Sequence, residues 1–180
     1  MCPPVRKAFE RRRFEIDELE NASIVLESTA STRVSLEAIR EGEAGLNAHR
    51  QAMLNRVPEV GDFASFKRNV LELKDLAYLT AKTGDEFAIL RGKDADILFH
   101  GSSTQCRFID TLADMMSSHK LELVGHSHPG EDDPIPSQGD RDALKEIGQA
   151  RSVVVSGRTG KMRAFGQSPF DEISWNDEKR

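Results

Sequence analysis

The chain has 180 residues, 38% of them hydrophobic and 31% charged, with a formal net charge of −5. That length fits one ordinary domain with an appendage, and the acidic balance excludes a chain built to coat nucleic acid or an anionic membrane. No stretch reaches the roughly 20 apolar residues of a membrane span, the opening MCPPVRKAFERRRFEIDELE has no apolar signal core, and Cys2 and Cys106 are too few for a disulfide framework, so a reducing, cytoplasmic setting is expected.

Residues 4–20 read as a charged helical stretch with Phe9, Ile16 and Leu19 as scattered apolar points, and 34–56 as a second helix with Leu36, Ile39, Leu46, Met53 and Leu54 on a ragged stripe. Gly42 and Gly45 weaken that second helix by about 1 kcal/mol each. The run Arg11–Arg13 is followed at once by acidic residues, as on a solvated helix face. Pro58 and Gly61 punctuate the chain at RVPEVGDF. This divides it into a helical N-terminal extension, 1–60, which could mediate protein–protein contact, and a main domain, 61–180.

Downstream, FKRNVLELKDLAYLTAKTG (66–84) predicts a helix stopped by Gly84. DEFAILRG and ADILFHG predict a hairpin joined at Gly92–Asp94, and STQCRFI a third strand. Then follow a helix over 110–120, a strand over 121–128, a helix over 137–150 and a hairpin of RSVVVSG with KMRAFG. Strands mixed with about three helices give an α/β (α+β) layered fold with a mainly antiparallel sheet.

The chemistry gathers in VGHSHPGEDDPIPSQGD, residues 124–140. Side chains two apart on a strand share a face, so His126 and His128 present their imidazoles together while Ser127 faces away. Two neutral nitrogens and one carboxylate make a zinc site with an open position for water. Asp140 supplies the carboxylate if 129–136 folds back over the metal, and three prolines stiffen that loop. A hydrolytic site also needs a base for the proton of the water. Glu86 stands at the tip of a predicted core strand, with Asp85 projecting to the opposite face.

Glu86, then HSHP at 126–129, then PSQGD at 136–140 resembles the motif of the JAMM/MPN zinc metalloproteases, and the order of elements over roughly 61–166 is similar to that fold. The resemblance implies an MPN-like sheet flanked by helices and zinc held by His126, His128 and Asp140. It also implies Glu86 as general base and Ser137 as a donor to the oxyanion. It implies a peptidase or isopeptidase whose substrate is a protein with an extended, ubiquitin-like C-terminal tail. The loop between His128 and Ser137 holds one residue more than is usual in that family.

Each residue also has a plainer reading. SQGD is a capping box, with Ser137 as N-cap and Asp140 three residues on, and an Asp140 turned back to the backbone would not reach a metal. Glu86 alone would be a strand-edge carboxylate. Glu131–Asp133 would be a wet loop, or beside a zinc site an attractor of a basic tail. His49, His100 and His119 have no partner at ligand spacing, and Cys106 reads as a buried strand residue. Two other functions fit the same pattern. One is a catalytically silent MPN-type scaffold, whose usual mark is a lost ligand. The other is a RadC-type relative associated with DNA repair, against which Ser127 and the acidic balance argue.

Overall fold

Local signals in the sequence set the helix ends and the strand faces, and these in turn position the site. The computed structural model describes residues 34–169 and 173–174; the helix expected over 4–20 lies outside them. Helix α1 (Leu36–Arg40) begins where the Ser35 hydroxyl accepts the Ala38 N–H at 3.1 Å. Helix α2 (Ala48–Arg56) begins where the Asn47 side chain accepts the Arg50 N–H at 2.8 Å. The single helix expected over 34–56 is thus two. Gly42 sits at φ +79°, which breaks helical geometry and suits glycine, and Asn47 gains more as a cap than as a helix interior.

Strand β1 (Phe63–Lys67) follows, so the helix expected from 66 starts later, as α3 (Leu73–Thr83). Alternation explains the correction: Ala64 and Phe66 turn inward while Lys67 is exposed, a period of two rather than 3.6. The Asp75 carboxylate accepts the Glu72 N–H at the start of α3 and pairs with Arg50 at 2.9 Å, tying α2 to α3.

Next come β2 (Phe87–Arg91), β3 (Ala95–His100), α4 (Asp110–Ser117), β4 (Glu122–His128), α5 (Gln138–Glu146), β5 (Arg151–Ser156), β6 (Met162–Gly166) and a short β7 (Ile173–Ser174). The strand expected at STQCRFI is irregular chain. Strand order is β1-β3-β2-β4-β5-β6-β7. Every pair is antiparallel except β4–β5, which are parallel because α5 carries the chain back across the sheet.

Helices cover both faces. Phe87, Ile89, Val153 and Val155 point to one side, with Leu76 and Leu79 of α3. Ala88, Leu90 and Val154 point to the other, with Leu112 of α4 and Leu144 of α5. Two-sided burial is why these strands read as apolar runs. Met53 and Val57 are 1% and 0% exposed and belong to the α3-side core. The division expected after residue 60 therefore cuts a shared core: α2 is part of the domain, not an extension from it. Among the described residues no helix is long and apolar enough to cross a membrane.

Candidate metal centre

The site lies at the C-terminal end of β4, where Gly125 lets the strand come close to its neighbours. A Cβ on Gly125 would stand 2.7 Å from the Val153 carbonyl oxygen and 2.5 Å from the Leu73 side chain. Glycine at this position therefore lets β4 sit against β5 and α3. Opposite Ala88, His126 turns its ring to the α5 side, and His128 follows two residues on.

The two Nε2 atoms are 3.1 Å apart. Asp140 Oδ1 is 3.1 Å from His126 Nε2, and Asp140 Oδ2 is 3.5 Å from His128 Nε2. Atoms bound to a first-row divalent ion at about 2.0–2.2 Å and tetrahedral angles stand roughly 3.3–3.6 Å from one another. The observed spacings lie within a few tenths of an ångström of that range, so the three side chains form a group that could hold a metal ion.

Asp140 answers the question its position raised. It does close the capping box: its Oδ2 accepts the Ser137 N–H at 2.6 Å and the Ser137 hydroxyl at 2.8 Å, while Ser137 Oγ accepts the Asp140 N–H at 3.1 Å. Yet Oδ1 still faces His126. Capping and metal binding do not exclude each other, because a carboxylate has two oxygens and about four acceptor sites. The helix N-terminus favours the negative charge as well. Burial pushes the Asp140 carboxyl up, but hydrogen bonding from His126 and His128 and the His126 charge outweigh it and hold Asp140 well below the usual carboxylate range. Burial works downward on His128; the hydrogen bond and charge of Asp140, then the charges of Glu86 and Glu131, leave it raised.

Glu86 stands one residue before β2, 7% exposed, with its backbone pinned by the Gly101 N–H to its carbonyl (2.8 Å) and by its own N–H to the Ser102 carbonyl (2.9 Å). It lines the same cleft as His126, His128, Ser137 and Asp140, a hollow of about 620 Å³ also lined by Ser103–Cys106, Phe108 and Pro129–Glu131. Burial raises the Glu86 carboxyl. The two histidines pull it down, Asp140 pushes it up and Cys106 pulls it down, and the balance is upward. Cys106 is half-buried in the cleft wall rather than in a strand.

Three further features escaped sequence reasoning. Ser127 is fully buried on the α3 face. Its Oγ lies 2.6 Å from Thr80 Oγ1 and accepts the Phe87 N–H at 2.9 Å, so a side chain carries the β2–β4 pairing one residue beyond Ala88–His126 and holds the Glu86 end of β2 against the histidine strand. His100, buried and stacked on Phe87, bridges the Val57 carbonyl (2.8 Å) and Asp85 (3.1 Å). Those partners lie far apart in sequence, so no local spacing announces them.

The third feature is the loop with the additional residue, which is clasped to the β5–β6 turn rather than free. Asp132 pairs with Arg158 at 3.0 Å and Asp133 with Arg163 at 2.6 Å. The Thr159 hydroxyl bonds the Asp132 carbonyl at 2.6 Å and the Ser156 hydroxyl the Glu131 carbonyl at 2.5 Å. With two of its three carboxylates paired to arginines, the acidic run offers little charge to a basic tail. A scan against protein-family models and a search of curated proteins return no match for this chain.

Proposed function

We propose that the chain is a zinc-dependent peptidase or isopeptidase of the JAMM/MPN type, hydrolysing an amide bond at the tail of a ubiquitin-like or other small protein. The observation that carries the proposal is the convergence of His126, His128 and Asp140 at 3.1–3.5 Å with a buried Glu86 in the same cleft. Two histidines with a carboxylate suit zinc, and three protein ligands leave a coordination position open for reaction. When bound, zinc supplies a Lewis acid that polarises a carbonyl oxygen and acidifies water.

The protein's own groups would do the rest. Glu86, its carboxyl raised by burial, accepts a proton from the attacking water and returns it to the leaving amine. The Ser137 hydroxyl donates to the developing oxyanion, giving up its bond to Asp140 Oδ2 to do so. Asp140 N–H keeps Ser137 Oγ in place meanwhile. The usual mark of the silent-scaffold alternative is a lost ligand, whereas His126, His128 and Asp140 are all present and convergent. The test is cleavage of linear ubiquitin-like fusions by the purified protein, with and without a chelator and with zinc added back. Cleavage that stops on chelation and returns with zinc supports the proposal; cleavage indifferent to chelator contradicts it.

A further inference from the structure

We infer that Glu131 is a positioning residue for the metal centre, the outer carboxylate that fixes the His128 ring through its Nδ1 atom. The inference rests on the metal-site reading above and adds to it a residue outside the ligand set. His128 turns Nε2 toward His126 and Asp140, which leaves Nδ1 pointing away. A neutral imidazole that ligates through Nε2 carries its proton on Nδ1, and that proton needs an acceptor that also stops the ring from turning. The carboxylate facing it is Glu131, with Oε2 3.6 Å from His128 Nδ1.

That separation is slightly beyond hydrogen-bond length; a small rotation of the half-exposed Glu131 side chain closes it. Glu131 itself is held at both ends. Its carbonyl accepts the Ser156 hydroxyl, and the same Oε2 accepts the Ile135 N–H at 3.0 Å. The neighbouring Asp132 and Asp133 are paired to Arg158 and Arg163, so of the acidic run only Glu131 turns toward the histidines. His126 has no such partner: its Nδ1 is buried without a hydrogen bond among the described residues. The support is thus one-sided, and His128 is the ligand whose orientation the loop controls.

The experiment is zinc affinity by competition with a chromophoric chelator, on the full chain. Glu131→Ala should weaken zinc binding about 10–100-fold, the usual effect of losing an outer carboxylate. Glu131→Gln, which keeps an acceptor oxygen, should restore part of the loss. Asp132→Ala and Asp133→Ala break the loop's ion pairs without touching His128 and should leave affinity within about twofold. In the zinc-loaded protein the His128 Nδ1 proton should exchange slowly in wild type and fast in Glu131→Ala. Wild-type affinity in Glu131→Ala overturns this inference alone, as do equal losses in the Asp132 and Asp133 variants, which would make loop integrity the cause. A wild-type protein that binds no zinc overturns the metal reading and this inference together.

Discussion

Replacing Glu86 by glutamine separates chemistry from structure, because the two respond in opposite directions. Glutamine keeps the shape and a hydrogen-bonding oxygen but takes no proton near neutral pH. Loss of a general base typically lowers the rate about 10²–10⁴-fold, or about 2.7–5.4 kcal/mol in the barrier. Stability should move the other way. Glu86 is 7% exposed and burial raises its carboxyl, so the folded state favours the neutral form. Stability linked to a raised carboxyl is fully present below its ordinary value of 4.5 and lost as pH rises through the folded value. The metal-free Glu86→Gln protein should therefore melt higher than wild type at about pH 8 and close to it at about pH 4. Zinc content should be unchanged, since Glu86 lies outside the group of possible ligands. The assays are fusion-protein cleavage, metal analysis and paired thermal melts. Full activity, lost zinc or a lower melting temperature at high pH would each refute the reasoning.

Three other outcomes follow from the packing and the charges. A fragment beginning at residue 61 loses Met53 and Val57, both fully buried. Each contributes about 1.5–3 kcal/mol by burial against a typical total of 5–15 kcal/mol, so denaturant melts should show the fragment several kcal/mol less stable than the full chain; undiminished stability would restore the boundary after residue 60. Asp85→Ala strips the buried His100 of one partner and should cost about 1–3 kcal/mol in denaturant melts while zinc content stays at the wild-type level; unchanged stability would deny the clamp. In metal-free protein, Asp140 is lowered and its stabilising effect is present above the ordinary 3.8, lost as pH falls through the folded value. His128 is raised and its effect is present below the ordinary 6.5, lost as pH rises through the folded value. The melting-temperature gap between wild type and His128→Ala should thus be widest between those two values, and a gap independent of pH would contradict the pairing.

What was legible in the sequence was what depends on neighbours in the chain. Strand periodicity placed His126 and His128 on one face and Ser127 on the other, and the hydrophobic runs gave β2, β3, β5 and β6 to within a residue or two. The capping box at Ser137 was visible from spacing alone, but not its compatibility with a metal, which depends on where the second oxygen of Asp140 points. Long-range partners were illegible. Thr80 meets Ser127, Val57 meets His100, and Arg158 and Arg163 pair with Asp132 and Asp133 of the acidic loop, each across a separation that carries no periodic signal. The placement of α2 outside the domain failed for the same reason: a ragged apolar stripe does not say that Met53 is wholly enclosed. Strand β1 was lost because five residues of alternation abut a helical pattern.

The central claim is that His126, His128 and Asp140 hold a zinc ion, and metal stoichiometry tests it most directly. Elemental analysis of the full chain, reconstituted with zinc and freed of excess, should find about one zinc per chain. The His126→Ala, His128→Ala double variant, with its fold confirmed by circular dichroism, should retain almost none. Stoichiometric zinc in that double variant, or none in the reconstituted wild type, would contradict the account.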